Sequence, residues 1–277
     1  MAETFSTPPQ EPTDILSEKT SQLQIDPVST SASTSSVKST SQPSSKEFIE
    51  PIPGQPVRVP FTAPLPASKP PPASPLTAEQ QKKYDDLLAT VSTWTEIPVS
   101  TARSAAKEAI TDAERMWLTR ECLLRYLRAT KWNPAQAPKR LMDTLIWRRE
   151  YGVYKFTADY ISPENETGKQ VILGYDNEAR PCLYLSPGKQ NTSKSDRQLH
   201  HLVFMLERVI DMMGPGQETT ALLINFKEST GSGSAGVSVA QGKATLTILQ
   251  GHYPERLGRA LISERKYHIF LCLKSWA

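Results

Sequence analysis

Apolar residues recur at helical spacing in three stretches between residues 77 and 151. The first stretch covers 77–94, where Thr77 can act as the N-cap. The second covers 113–132, and the third begins at Asn133 and Pro134 and ends near Tyr151. The pattern predicts a small helical subdomain. Its expected apolar faces are formed by Tyr84, Leu87, Leu88, Val91, Leu118, Cys122, Leu123, Tyr126, Leu127, Leu141, Leu145 and Ile146.

Four basic residues of the second stretch fall on the arc that the apolar residues leave. They are Arg120, Arg125, Arg128 and Lys131. We expect them to face solvent.

The pattern changes after Gly168. Two short apolar runs, 169–176 and 180–187, flank a polar turn and predict a β-hairpin. Residues 195–213 form a strongly amphipathic helix pattern, and the continuous apolar run 221–226 is typical of a strand buried on both faces. A helix over 237–253, ended by Pro254, and a strand at 259–262 follow. Alternating strands and helices predict an α/β sheet with crossover helices.

The first 76 residues have a different composition. Of the 23 prolines in the chain, 15 precede residue 76, among Ser and Thr runs with few aromatic residues. Such a segment buries too little apolar surface to offset the entropy lost on ordering, so we predict a disordered tail. The expected organisation is therefore a tail at 1–76, a helical module at 77–152, an α/β domain at 153–262 and an atypical C-terminal segment at 263–277.

Charge and cysteine content exclude several classes of protein. The net charge is +3, far from the concentrated positive charge of a nucleic-acid-binding protein. The three cysteines form no paired motif, which indicates buried thiols in a reducing compartment. The N-terminus lacks the pattern of a signal peptide, and no apolar run reaches 18 residues. A cytoplasmic protein is expected.

Motifs for catalysis and metal binding are not found in the sequence. His200 and His201 are adjacent on a predicted helix, so they point about 100° apart and cannot chelate one metal together. The glycine-rich run 229–236 lacks the lysine of a phosphate-binding loop. We therefore expect neither an enzyme nor a cofactor.

Two pairs of polar residues, each at the end of a predicted strand or helix, are candidates for ligand contacts. Asn225 and Lys227 lie at the carboxyl end of a predicted strand, where ligands of α/β sheets often bind; a strand end simply meeting solvent explains them equally well. Glu255 and Arg256 stand between a helix and a strand, although such pairs are usually surface ion pairs.

Several motifs together resemble one family. The stretch "LLRYLRATKWNPAQAPKRLMDTLIWRREYG" (123–152) resembles the helical N-terminal module of the CRAL-TRIO family. The motifs "ARPCLYL", "INFK" and "HYPERLGRALI" resemble successive parts of that family's lipid-binding domain. Their spacing is similar to that of fungal phosphatidylinositol transfer proteins, in the branch linked to azole tolerance and sterol binding.

The resemblance implies a non-enzymatic lipid carrier that exchanges phosphatidylinositol at membrane surfaces, with a sterol as a second ligand. Glu255 matches the acid that receives the inositol hydroxyls, Asp176 an acid of the hairpin turn that contacts the headgroup, and Thr220 a hydroxyl residue that holds phosphocholine. Lys131 is the near substitute for a basic residue that Thr130 replaces. The remaining phosphatidylcholine contacts of the family are apolar here, at Ile172, Leu183 and Leu222.

The end of the chain departs from the family pattern. The segment "SERKYHIFLCLKSWA" stands where the resemblance implies an Asn-x-Pro turn and a long helix that closes the cavity, so a truncated, incomplete domain is expected. Two alternatives stay open: a lipid-sensing regulatory or scaffolding module, and a non-functional truncated product. The oligomeric state stays open as well.

Overall fold

The computed structural model describes residues 61–226 and 239–263, and its N-terminal part is helical. Thr77 caps the first helix as predicted, because its side chain accepts a hydrogen bond from the Gln80 N–H and the Gln80 side chain accepts one from the Thr77 N–H. The helices of this part are α1 (Ala78–Ser92), α2 (Asp112–Trp117), α3 (Arg120–Ala129) and α4 (Gln136–Tyr151).

The single helix predicted over 113–132 is wrong, because the chain forms α2 and α3 there. Thr119 has extended backbone angles, and its hydroxyl oxygen accepts a hydrogen bond from the Cys122 N–H at 3.2 Å. This is an N-cap, which starts a new helix at Arg120. The apolar spacing continues across the break, so periodicity alone did not reveal it.

Two expected exposures are also wrong. Arg125 was placed on the solvent side of its helix, yet it is 3% exposed, because α3 buries six consecutive residues from Cys122 to Leu127. Leu88 was placed on the apolar face of α1, yet it is 41% exposed. The packed face of that helix consists of Tyr84, Leu87 and Val91.

The third predicted helix is α4, and it begins at Gln136, with Ala135 as its N-cap, rather than directly after an N-cap at Asn133. The Asn133 side-chain oxygen accepts hydrogen bonds from the N–H groups of Ala135 and Gln136 at 3.0 and 3.1 Å. The helix ends at Gly152, whose φ of 73° is a left-handed conformation that glycine adopts readily.

Two short strands and one α-helix were not predicted from the pattern. A two-stranded antiparallel ribbon pairs β1 (Glu96–Pro98) with β2 (Lys107–Ala109), and α5 (Ala158–Asn165) follows the helical part. Each strand of the ribbon has three residues, which is too short for alternation to be visible.

The predicted α/β sheet is present, with the order β3-β4-β5-β6 among the described residues. The predicted hairpin pairs β3 (Gln170–Tyr175) antiparallel to β4 (Pro181–Leu185). The strands β4, β5 (Thr220–Asn225) and β6 (Leu257–Ser263) are parallel. The crossover helices α6 (Arg197–Asp211) and α7 (Val239–His252) link them, as the pattern indicated.

The main core lies between one face of the sheet and the two crossover helices. It contains Leu183 and Leu222 from the sheet, Val203 and Leu206 from α6, and Leu249 from α7. The opposite face of the sheet carries exposed apolar side chains at Val171, Tyr184 and Leu261. The pairing places these three and Leu223 on one row across the four strands.

Several predictions fall outside the described residues: the disordered tail up to residue 60, Lys227, and the segment 264–277. Within residues 61–226 and 239–263, no helix combines the length and the apolar content that crossing a bilayer would require.

Candidate functional site

An apolar cavity of about 240 Å³ lies between the sheet and the crossover helices. Its floor consists of side chains from β4 and β5, and its walls come from α6 and α7. The apolar side chains that line it are Leu183, Leu185, Leu199, Leu202, Leu206, Leu222, Ile224, Phe226, Leu246 and Leu249. The cavity can enclose the hydrocarbon part of an amphipathic molecule.

The sheet presents an apolar row at the floor of this cavity. Strand register places Ile172 opposite Leu183, Leu183 opposite Leu222, and Leu222 opposite Ala260. The three positions that the resemblance compares with phosphocholine contacts are therefore neighbours on one face. Their side chains supply no hydrogen-bonding group to a ligand.

Polar side chains line the end of the cavity near the carboxyl ends of β4 and β5. Lys169 is buried there and pairs with the carboxylate of Glu164 on α5. Burial opposes ionisation of Glu164, but the Lys169 and Thr192 hydrogen bonds hold the pKa of that carboxyl below its usual value. The other polar lining residues are Gln170, Gln190, Gln198, Gln241 and Thr245.

The predicted headgroup residues lie at the opposite edge of the sheet, which is formed by the amino-terminal ends of the parallel strands β4, β5 and β6. Asp176 is in the hairpin turn, and its Oδ1 accepts hydrogen bonds from the N–H groups of Glu178 and Arg180, both at 2.9 Å. Its Oδ2 accepts a hydrogen bond from Arg180 Nη1 at 3.0 Å. Asp176 therefore holds the turn together, and a ligand would have to share these oxygens with Arg180.

Thr220 is buried at the start of β5. Its hydroxyl donates to the Pro181 carbonyl at 2.8 Å, and its N–H donates to the Arg256 carbonyl at 2.8 Å. Arg256 donates in turn to the Glu218 carbonyl at 2.8 Å. Burial, with a further contribution from Arg125, lowers the pKa of Arg256 to about 10. These bonds fix the beginnings of β5 and β6 relative to each other.

Glu255 precedes β6 and is the most accessible acid of the predicted set, with 40% of its side chain exposed. Its φ of 58° is left-handed, a conformation uncommon for residues other than glycine. Arg128 of α3 lies between two acids, with 2.7 Å to Glu218 and 3.3 Å to Glu255. The structure thus brings Glu255 to the same edge as Asp176 and Thr220, with a cation of the helical part beside it.

Lys131 lies in the turn after α3 and is exposed, with a φ of 53°. Among the residues that the structure describes, no side-chain hydrogen bond or ion pair links Lys131 to Glu255, Asp176 or Thr220.

The adjacent histidines contact different neighbours. His200 Nδ1 lies 2.8 Å from the Tyr160 hydroxyl, and the buried His201 has its Nε2 3.3 Å from Asn165 Oδ1. In residues 61–226 and 239–263, no cluster of His, Cys, Asp or Glu side chains is arranged to hold a metal ion.

A buried polar cluster that the sequence did not indicate joins α4 to the crossover helices. Arg148 donates two hydrogen bonds of 2.8 Å to the Glu207 carboxylate, and the Tyr253 hydroxyl donates to the same carboxylate at 2.6 Å. Burial opposes ionisation of Glu207, but the Arg148 bonds hold its pKa below the usual value. Arg148 follows Leu141 and Leu145 at helical spacing on the buried face of α4. This spacing was the feature of the sequence that could have predicted its burial.

Comparison with known proteins places two family models on the chain. The model for the "CRAL/TRIO, N-terminal domain" matches residues 83–143, and the model for the "CRAL/TRIO domain" matches residues 165–264. The two matches include the helical part and the sheet with its crossover helices.

Curated relatives and a solved structure agree with these models. A CRAL-TRIO domain-containing protein of Schizosaccharomyces pombe is 56% identical over 187 residues, which are 68% of this chain and 18% of that protein. The phosphatidylinositol transfer protein PDR17 of Saccharomyces cerevisiae is 42% identical over 177 residues, which are 60% of this chain and 50% of that protein. The crystal structure of Sfh5 has the same fold, with a TM-score of 0.51 at 12% identity over 74% of this chain and 78% of that one. The chain spans half or less of the length of these two curated relatives.

Proposed function

The chain belongs to the CRAL-TRIO family, and on that premise we propose that it binds phosphatidylinositol and exchanges it between membrane surfaces without catalysing a reaction. The observation that carries this proposal is the apolar cavity between the sheet and the helices α6 and α7. The 42% identity to a phosphatidylinositol transfer protein supports the choice of lipid.

Burial of hydrocarbon is the driving force for lipid uptake. Each methylene group removed from water contributes about 0.8 kcal/mol. Pockets that bury a small-molecule ligand are usually about 300–1,000 Å³. The cavity of about 240 Å³ is smaller than that. A diacyl lipid would therefore enter with a widening between the sheet and the helices, and such a change fits a carrier that loads and unloads at a membrane.

Headgroup selection is proposed to occur at the edge where the parallel strands begin. Glu255 is the best placed acceptor for inositol hydroxyls, because its side chain is accessible. Arg128 contacts Oε2 of its carboxylate, so Oε1 can accept a further hydrogen bond. Asp176 and Thr220 are proposed to support this edge through Arg180 and Pro181, and Lys131 to attract the phosphate. On β5, Thr220, Leu222 and Ile224 alternate onto one face, which leads from this edge to the cavity.

Discrimination against phosphatidylcholine follows from the apolar row. Ile172, Leu183 and Leu222 offer a phosphocholine group no hydrogen bond, and burying that charged group without partners is costly. The purified chain should be incubated with vesicles containing equal amounts of both lipids, recovered, and extracted for mass spectrometry. We expect phosphatidylinositol in the extract in large excess over phosphatidylcholine. Equal recovery of the two lipids would contradict the proposal.

The substitution Glu255→Ala tests the headgroup contact. It should weaken phosphatidylinositol capture by about 1–3 kcal/mol, because hydrogen bonds to a charged acceptor would be lost. Glu121→Ala removes another exposed carboxylate and is the matched control, which should bind as the unmodified chain does. Unchanged capture by the Glu255→Ala variant would remove Glu255 from the binding site.

Three further features belong to the same proposal. A sterol is proposed as a second ligand, transient contact with membrane surfaces as the mode of exchange, and the cytoplasm as the location. The proposed organisation is a tail at 1–76, a helical module at 77–152, a partial lipid-binding domain at 153–262 and an atypical C-terminal segment at 263–277.

A further inference from the structure

A proline-rich stretch precedes α1 and belongs to the part of the chain that the structure describes. Residues 69–75 read "KPPPASP" and form neither helix nor strand. Proline fixes its own φ at about −65° and restricts the residue before it to extended angles. Positions 69, 70, 71 and 74 each precede a proline directly. The stretch therefore favours a left-handed polyproline II helix.

Both ends of this stretch contact the folded domain. At the N-terminal end, the Pro70 ring lies against Gly216, where a Cβ atom would be 3.5 Å from Pro70 Cγ. At the C-terminal end, Leu76 packs against the core of the helical part, and Thr77 follows as the N-cap of α1. A partner that binds here would meet a segment that is already ordered, which lowers the entropic cost of binding.

The edges of this polyproline II helix have different surroundings. Such a helix has three residues per turn, so positions three apart share an edge. The edge of positions 70, 73 and 76 includes the two residues that contact the domain, Pro70 and Leu76. Positions 71 and 74 form the second edge, and positions 69, 72 and 75 form the third; all five are exposed. Two of the three edges are therefore open to a partner.

Lys69 is the only charged residue between positions 61 and 77. It is exposed, and within residues 61–226 and 239–263 its ammonium group has no hydrogen bond or ion pair. Lys69, Pro72 and Pro75 share one edge, and a rise of 3.1 Å per residue separates neighbours in this row by about 9 Å. The row thus presents a cation followed by two prolines at one helical turn each.

We propose that residues 69–75 are a docking site for a protein domain of the SH3 type, which recognises polyproline II helices through an aromatic-lined groove. The pairs Pro71–Pro72 and Ser74–Pro75 would occupy the groove, and Lys69 would pair with acidic side chains at its end. The edge of positions 70, 73 and 76 would point away from the groove, and this is the edge that faces the chain's own domain. A groove that reads prolines alone would leave Lys69 without a function.

The docking site is separate from the lipid cavity. The residues that line the cavity between the sheet and the helices α6 and α7 include none of positions 69–75. The inference therefore goes beyond the proposed function and does not depend on it. Phosphatidylinositol capture, measured on the same proteins, should be unchanged by the substitutions described below.

The full chain is titrated against an array of the purified SH3 domains of Saccharomyces cerevisiae, with WW domains in the same array, by biolayer interferometry. We expect at least one SH3 domain to bind with a Kd of about 100 μM or lower. Binding should weaken as the salt concentration rises, because the pairing of Lys69 with carboxylates is screened.

The double variant Pro72→Ala with Pro75→Ala should weaken this binding at least about 10-fold, because both prolines would leave the groove. The variant Lys69→Glu should also weaken it about 10-fold, because an acid would face acidic side chains. Pro66→Ala and Lys107→Glu change an exposed proline and an exposed lysine outside the stretch. They are the matched controls and should keep the affinity within about 2-fold.

Three results would overturn the inference: no binding by any SH3 domain of the array, binding confined to WW domains, or binding that the double variant retains in full. If the double variant does not fold, the comparison of Lys69→Glu with Lys107→Glu decides, because equal affinities of these two variants would also overturn it.

Discussion

Gly258 at the beginning of β6 lies under the side chain of Arg180. A Cβ atom at this position would come closer than 3.0 Å to both Arg180 and Thr219. Arg180 donates to Thr219 at 3.1 Å and pairs with Asp176 and Glu178. A glycine here lets the guanidinium cross the strand and connect the hairpin turn to the edge where β5 and β6 begin.

The substitution Gly258→Ala should lower the free energy of unfolding by about 1–3 kcal/mol, because Arg180 must move. Gly251→Ala is the control. Gly251 lies in α7, where a Cβ atom would meet open space, so alanine should stabilise the helix by about 0.5–1 kcal/mol. Urea unfolding of both variants measures the two effects. If the Gly258→Ala variant is as stable as the unmodified chain, a glycine at position 258 is not needed to accommodate Arg180.

His252 at the end of α7 is stacked on Trp147, with ring centroids 4.0 Å apart and an interplanar angle of 4°. The pKa of His252 is lowered to about 4, first by burial and then by Arg140 and Arg148, against an opposing effect of Asp143. The unfolded chain takes up this proton near a pH of about 6.5. Between about pH 6.5 and pH 4 the unfolded state binds more protons, so stability is lost as the pH falls.

The variant His252→Phe should retain the ring stack and lose less stability than the unmodified chain between about pH 7 and pH 5. His201, whose pKa is likewise lowered to about 4 by burial, keeps part of the dependence in both proteins. Urea unfolding at the two pH values gives the comparison. An identical loss in both proteins would show that His252 does not titrate in this window.

Elements were predictable where the periodicity was long and continuous. The patterns of α1, α6, α7 and β5 each gave the right type of element at about the right place. The break at Thr119 was missed because a cap depends on backbone angles, which the apolar spacing does not report. The ribbon of β1 and β2 was missed because strands of three residues carry no readable alternation.

Buried charges are the second feature that periodicity could not show. Arg125 was expected to face solvent and Arg148 was left unassigned, because arginine is usually exposed. The burial of Arg148 depends on a partner distant in sequence, since Glu207 lies 59 residues after it. Such a pair connects α4 to α6 and fixes how the helical part packs on the sheet.

A double-mutant cycle tests this connection between elements. Arg148→Met should cost about 3–5 kcal/mol of unfolding free energy, since Glu207 would remain buried without its cation. The double variant Arg148→Met with Glu207→Gln should lose less unfolding free energy than the sum of the two single variants' losses. The difference, which is the coupling energy, should be about 0.5–3 kcal/mol. Lys139→Met with Asp143→Asn, an exposed pair on the same α4, is the control, for which a coupling below about 1 kcal/mol is expected. Additive effects at Arg148 and Glu207 would contradict a direct bond.

At the scale of the whole molecule, the sheet separates two surfaces of different character. One face and the helices α6 and α7 enclose the cavity, while the other face carries the exposed row of Val171, Tyr184 and Leu261. The sequence predicted the strands from their apolar runs and did not assign residues to the two faces of the sheet. The apolar runs could not indicate which face encloses a cavity, because that depends on helix packing.

The site residues, like the cavity, could be predicted from the sequence only in part. Glu255, Asp176 and Thr220 were chosen by resemblance, and the structure places them at one edge of the sheet. Their roles as lipid contacts stay predictions. The polar network of Lys169, Gln190, Gln198 and Gln241 at the cavity was not predicted, since its members come from separate parts of the chain and no sequence motif connects them.

Photo-cross-linking of bound phosphatidylinositol tests the central claim most directly, because it reports where the acyl chain lies. The lipid carries a diazirine near the end of one chain, and labelled peptides of the full protein are identified by mass spectrometry. The account predicts labels on the cavity-lining residues of α6 and α7, such as Leu202 and Leu246, and on Leu222 or Ile224 of β5. Labels confined to Val171, Tyr184 and Leu261 on the opposite face, or no labelling at all, would contradict it.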